Sequence, residues 1–217
     1  MKRRTLPAAV ALAATAALLL TACGSGDDSS KANDKIAGAG TGSPTSASPS
    51  ASASGTADRP KITFPSYAKN VFEDQKTGDA TKDAVLADSA LSINSVDEAI
   101  FKGSTSTKAL GFYSADKALS SSITYVQGYI DDADTWIGET RYFERKVTLA
   151  GADKAYVTYC SDESKSFIKN KKTEKVDRTP TTANAYVLYH TVLSKNAEGV
   201  WQTTDIVSKR GDKSCQP

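Results

Sequence analysis

Every aromatic side chain of this 217-residue chain, six Phe, nine Tyr and two Trp, lies after Lys61. Aromatic rings bring the largest apolar area to a core, so only residues 61–217 can build one. Those 157 residues carry 21 basic and 21 acidic side chains. A neutral stretch of that length is one domain of ordinary size, able to bury roughly 70% of its unfolded surface. It lacks the clustered positive field that a nucleic-acid binder needs, so no nucleic-acid partner is expected. One His and three Cys in the whole chain make a multi-ligand zinc, iron–sulfur or haem site hard to assemble, and no metal or cofactor is expected.

The N-terminus follows a different logic. Met1-Lys2-Arg3-Arg4 precedes an apolar stretch, Leu6–Leu20, and then Leu20-Thr21-Ala22-Cys23-Gly24. Basic, apolar and small residues in that order form a secretory signal. A 15-residue run is short of the roughly 20 residues of a membrane-spanning helix, so a permanent transmembrane anchor is the weaker reading. Ordinary cleavage wants a small residue where Leu20 stands. Leu-Thr-Ala-Cys instead resembles the lipobox of bacterial lipoproteins, in which the Cys sulfur receives diacylglycerol and becomes the first mature residue. The resemblance implies a signal peptide 1–22, a lipid on Cys23 and attachment to the extracytoplasmic face of the cell membrane. Two acyl chains on one Cys supply the double anchor that stable attachment requires. The alternative, plain secretion, leaves Cys23 as an exposed thiol in an oxidising compartment.

From Gly24 to Pro60, 28 of 37 residues are Gly, Ala, Ser, Thr or Pro. Such a segment cannot bury enough apolar area to offset its ordering entropy, so residues 23–60 read as a lipidated Cys and a disordered linker. Its expected reach is about 33 Å. Gly38-Ala39-Gly40-Thr41-Gly42-Ser43 is not a phosphate loop, because no strand precedes it, no helix follows and no Lys is placed to reach a phosphate.

Within the domain, Leu86, Ala90, Ile93 and Ile100 line one stripe of a helix over Ala80–Lys102. Lys108–Tyr113 reads as a short second helix. Ala115–Ile130 repeats the period through Ala115, Leu119, Ser122, Val126 and Ile130. Asp79 and Ser114 are the expected N-caps of the first and last. After Asp134 the pattern turns to strands: Glu139–Ala150, Lys154–Glu163, Asn184–Asn196 and Val200–Arg210, paired as two hairpins. Lys165–Pro180 between them carries six basic residues and reads as a solvated loop. Helices first and antiparallel strands later make an α+β domain, with the helices on one face of a sheet.

This order of elements is similar to the nuclear transport factor two–like (cystatin-like) superfamily, whose sheet curves round its helices into a cone. Ala155-Tyr156-Val157-Thr158-Tyr159-Cys160-Ser161-Asp162, Gly199-Val200-Trp201 and the terminal Cys215 further resemble uncharacterised lipoproteins of high-GC Gram-positive bacteria. The resemblance covers Ala80 to Cys215 and implies a fold rather than an activity, since the superfamily includes isomerases, hydrolases, dehydratases and non-catalytic binding modules. With Cys23 lipidated, Cys160 and Cys215 remain as an even pair in an exported domain, expected to form a disulfide rather than to act as reactive thiols.

Four residues stand out as candidates for a pocket: Arg145, Tyr129, Asp162 and His190. Strand alternation puts Arg145 on one face with Phe143, Val147 and Leu149, where it must meet either an internal carboxylate, Asp162 or Asp205, or a bound anion. His190, the only imidazole, lies mid-strand; a dyad with Asp205 is conceivable, but a half-buried strand His is the simpler expectation. Asp131, Asp132 and Asp134 follow the last helix and read as solvated acids rather than a calcium site. Tyr125, Tyr129, Tyr156, Tyr159, Tyr186 and Tyr189 suit either a cavity wall or, by preference, a sheet core. The function expected is a membrane-anchored, non-catalytic module for a small apolar ligand, a wall component or an envelope protein. A cone-pocket enzyme of acid/base type is the alternative, and apolar residues on both parities of strand 184–196 allow a homodimer through the sheet face.

Overall fold

The computed structural model describes Asp58–Pro217. The expected signal peptide 1–22, Cys23 and the expected linker as far as residue 57 lie outside the described residues; among the described residues no helix is long and apolar enough to cross a membrane.

Helix α1 (Ala80–Lys102) has the expected bounds. Asp79 Oδ1 accepts from the amides of Thr81 and Lys82 at 2.8 and 3.0 Å, and Gly103, at φ 61°, closes the other end in a left-handed conformation that only glycine adopts without penalty. Thr107 caps α2 (Lys108–Tyr113). Helix α3 (Asp116–Asp131) starts after Ala115, and Ser114 is not its cap. The Ser114 hydroxyl meets that of Ser92 at 3.2 Å inside the core, where a buried hydroxyl needs a partner more than a helix end needs a cap.

Strands β2 (Asp134–Leu149) and β3 (Lys154–Asn170) form the first expected hairpin. The second consists of β5 (Tyr186–Lys195) and β6 (Trp201–Arg210). Strand β2 begins at Asp134 rather than at the expected Glu139, and two further features differ from the expectation. Strand β1 (Ala68–Phe72), in a stretch the sequence left unassigned, lies parallel to β2 at the sheet edge, giving the order β1-β2-β3-β5-β6. Lys165–Asn170 is not loop but the continuation of β3, paired with Asp134–Glu139, and the two-residue β4 (Val176–Asp177) folds back on Ile168 and Lys169. Gly138 permits that pairing: at φ 102°, a Cβ would stand 2.1 Å from the Lys165 carbonyl oxygen. Register shifts at Glu139/Arg141, Phe143/Lys146 and Val192/Leu193 bend the strands, so the sheet curves round the helices. The architecture is α+β: three helices on a curved, mostly antiparallel sheet.

The segment before β1 runs along α1. Arg59 pairs with Asp88, the Thr63 amide donates to Glu98 Oε1 at 2.8 Å, and Phe64 meets Phe101 and Trp136 edge-on at 5.0 and 6.3 Å. The chain is therefore held to the domain from Arg59 onward. On the other side of the sheet, Cys160 of the central strand β3 is bonded to Cys215, the Cα atoms 5.5 Å apart. This disulfide pins the C-terminal turn over the outer face beside Leu188, the cross-strand neighbour of Cys160. Part of the face open to a second copy is thus covered by the chain's own tail, while Tyr156 and Val207 on it stay exposed. Three buried clusters, the sheet and the disulfide all lie within residues 59–217, which hold a complete core of their own.

Candidate functional site

Between the helices and the concave face of the sheet the packing stays open around a cavity of about 920 Å³. Helix α1 lines it with Ser89, Ser92, Ile93, Val96 and Asp97, at the i, i+3, i+4, i+7, i+8 spacing of one helical stripe. Helix α3 contributes Ala118, Ser122, Tyr125 and Tyr129 at the same period. The sheet adds Trp136, Tyr142, Tyr159 and Tyr189, whose strand positions point them toward the helices. Glu163, Asp177 and Arg210 are the charged residues that join Asp97 in the lining.

Asp97 is the chemically distinctive group. Its Oδ2 accepts from Asn70 Nδ2 at 2.6 Å and its Oδ1 from Trp136 Nε1 at 3.1 Å. Both donors are neutral, and no cation pairs with it among the described residues. Asp97 is half-buried: the cavity reaches its side chain on one side and protein packs round the rest. Desolvation pushes its pKa up to about 7; the hydrogen bonds from Asn70 and Trp136 hold the rise back, and the negative charge of Glu163 adds to it. Asp97 therefore exchanges a proton near neutral pH.

Five phenols share the cavity. The hydroxyls of Tyr125 and Tyr129 are 3.2 Å apart, Tyr159 stacks on Tyr189 with centroids 4.9 Å apart, and Tyr142 meets Tyr159 edge-on at 6.0 Å. Burial raises the pKa of all five, so each stays neutral and can donate or accept a hydrogen bond. Arg210 Nη1 donates to Glu163 Oε2 and to the Asn184 carbonyl, both at 2.7 Å. No group of three His, Cys, Asp or Glu among the described residues is placed to hold a metal ion.

Of the four residues expected in a pocket, Tyr129 alone lines the cavity. Asp162 lies on the outer face, where its Oδ2 is 3.5 Å from Arg141 Nη2 and its Oδ1 accepts the Ser164 amide at 2.9 Å. Alternation makes its neighbour Glu163 the inward acid. His190 is exposed on the outer face, its Nδ1 3.2 Å from Thr158 Oγ1; Val207 stands opposite it, while Asp205 faces Val192 and caps the Ile206 amide, so the dyad does not form. Arg145 is buried, as expected, but not on the Phe143 face. The bulge, with Glu144 at φ 50°, inverts the alternation between them. Neither Asp162 nor Asp205 meets Arg145: Nη2 donates to the Leu86 carbonyl at 2.6 Å, the guanidinium lies 5.1 Å from the Phe72 centroid, and Nε and Nη1 have no partner. Desolvation lowers its pKa to about 10, so it remains charged at neutral pH.

Asp97 and Glu163 were missed by the sequence, yet Asp97 carried a signal. Leu86, Ala90, Ile93 and Ile100 leave a gap that residue 97 fills in a 4-3-4-3 series, so an acid stood on the apolar stripe itself.

No protein-family description matches the chain, and no curated protein is similar to it. Among solved structures, it is similar to a ketosteroid isomerase-like protein from Erwinia carotovora atroseptica, with a TM-score of 0.36 and 17% identity over 56% of this chain and 92% of that one. A proposed ketosteroid isomerase from Shewanella frigidimarina gives a TM-score of 0.34 and 12% identity over 64% of this chain and 99% of that one. At those scores the likeness assigns neither a family nor an activity.

Proposed function

We propose that this protein is a lipid-anchored display module: Cys23 carries the anchor on the extracytoplasmic face of the membrane, the Gly/Ala/Ser-rich linker is the tether, and a cone of the nuclear transport factor two–like type captures a small amphipathic ligand. The observation that carries the reading is the cavity of about 920 Å³, walled by aromatic rings and by the carboxyls of Asp97, Glu163 and Asp177. A cavity within the usual range for small-molecule sites, lined by aromatic rings on one hand and by hydroxyls and carboxyls on the other, suits a ligand with an apolar body and a polar head. The native mass spectrum of the oxidised domain, residues 50–217, tests it. The expected result is a reproducible extra mass that disappears on denaturation. A bare protein from every gentle preparation would contradict ligand capture, and a doubled mass would favour a second copy on the outer sheet face as the partner instead.

A second reading is supported by the placement of Asp97, a carboxyl on the cavity wall held by neutral donors alone, with desolvation pushing its pKa up to about 7. A carboxyl poised at the operating pH beside neutral phenols is what general acid/base catalysis uses. On that reading an extracted ligand returns chemically altered after incubation with the protein, and Asp97→Asn abolishes the change. On the display reading it returns unaltered.

A further inference from the structure

We propose that the ligand of this cavity is an organic cation, an amine or quaternary ammonium on an apolar body, whose charged head sits between the Asp97 carboxylate and the tyrosine rings. The inference deepens the ligand-capture reading and rests on it. Its first support is the charge of the lining. Asp97, Glu163 and Asp177 face a single cation, Arg210, and that guanidinium is already engaged by Glu163 and the Asn184 carbonyl. Asp97 and Asp177 have no cationic partner among the described residues. The basic residues of Lys165–Arg178 do not supply one: Lys169 pairs with Glu174, Lys171 donates to the Ile100 carbonyl at 3.0 Å, Arg178 lies over the Phe167 ring, and none of the six lines the cavity.

Second, the Asp97 oxygens are half used. A carboxylate offers about four acceptor positions, and here two are filled by neutral N–H donors, leaving room for a charged donor from the cavity. Third, the wall is made of the side chains that attract cations. Tyr125, Tyr129, Tyr142, Tyr159, Tyr189 and Trp136 bring aromatic rings to the lining and the tyrosines add neutral phenolic oxygens, and a desolvated ammonium gains from both. An anion would meet repulsion from the unpaired carboxylates while Arg210 is already engaged by Glu163, and a neutral ligand would leave Asp97 with an uncompensated charge above neutral pH.

The groups that face Asp97 and bear on its titration are Tyr125 and Tyr129 of α3, Tyr142 of β2, Tyr159 and Glu163 of β3 and Tyr189 of β5. Among these the negative charge of Glu163 favours protonated Asp97. A bound cation favours the ionised form. Affinity therefore rises with pH up to about 7, by as much as about tenfold per unit, and levels off above it.

Three probes with one apolar body test the inference: 4-phenylbutylamine, 4-phenylbutanol and 4-phenylbutyrate, titrated calorimetrically into the oxidised domain, residues 50–217. At about pH 8 the amine is expected to bind about tenfold tighter than the alcohol and the acid weakest of all. Between about pH 8 and pH 5.5 the amine is expected to lose about tenfold while the alcohol stays constant. The near-isosteric Asp97→Asn takes about tenfold from the amine alone, and Asp177→Asn, at an exposed position where folding is not at stake, takes about two- to threefold. Equal or tighter binding of the alcohol or the acid, or an Asp97→Asn protein that binds the amine as well as before, overturns the cation assignment and leaves ligand capture standing. Failure of all three probes overturns both.

Discussion

Asp88 and Asp97 lie nine residues apart on α1, about half a turn out of phase, and the fold treats them in opposite ways. Asp88 is 2% exposed and fully compensated: Arg59 pairs with it and the Trp201 amide donates to its Oδ2 at 2.9 Å. Glu98, 1% exposed, is likewise held by Lys102 at 2.9 Å and by the Thr63 amide. Asp97 has only the neutral donors Asn70 and Trp136, and it faces a cavity rather than a partner. Two of these acids tie the N-terminal segment and β6 to the helix; the third has no cationic partner among the described residues. The same contrast holds across the sheet, whose outer face is closed at Cys160 by the disulfide while its inner face is held open.

The closed side gives the largest effects. Replacing Cys160 and Cys215 together by Ala is expected to lower unfolding stability by about 4 kcal/mol, from the 55-residue separation the bond spans, and to leave cavity binding in place below the new midpoint. Loss of binding at full folding would mean that the two faces are not independent. Asp88→Ala is expected next, at about 3 kcal/mol in a denaturant titration, because it strips Arg59 and a buried amide of their acceptor.

Asp97→Asn sharpens the contrast because its sign is reversed. A carboxyl raised to about 7 on folding, against an ordinary value near 4, holds its proton in the folded chain when the unfolded chain has lost it. Stability therefore falls as pH rises from about 4 to 7, by up to about 1.4 kcal/mol per unit. Asp97→Asn removes that slope, leaving stability near pH 4 unchanged and raising it near pH 8 by roughly 2 kcal/mol, about half the full linkage because cavity water solvates part of the charge. A loss of stability at both pH values would place Asp97 with Asp88 as a structural acid. The smallest effect belongs to Arg145→Met. With Nε and Nη1 unpartnered and only the Leu86 carbonyl as acceptor, its replacement by an apolar chain of similar length is expected to change stability by less than about 1 kcal/mol, in either direction.

What was legible in the sequence followed from local chemistry. Asp79 and Gly103 bound α1 because one offers a capping oxygen and the other a left-handed backbone. The two hairpins, the α+β class and the Cys160–Cys215 bond needed only alternation, turns and, with Cys23 set aside as the expected lipid site, cysteine parity. What was not legible depended on partners distant along the chain. β1, with Lys69 and Asn70 in its middle, is a strand only because β2 lies beside it. Lys165–Asn170 looks like loop until Gly138 lets its backbone approach. A single bulge at Glu144 moved Phe143 to the other face from Arg145, and a residue of alternation separated the expected Asp162 from the actual Glu163. The site itself hid in Asp97, an acid in an otherwise apolar helical stripe whose meaning appears only when no cation stands opposite it among the described residues.

The most direct measurement is the titration of the Asp97 carboxyl carbon by NMR in the ligand-free oxidised domain, repeated with 4-phenylbutylamine. An uncompensated carboxyl titrates at about 7 when the cavity is empty and moves down when the amine is bound. A midpoint near 4 in the empty protein, unmoved by the amine, would contradict the account.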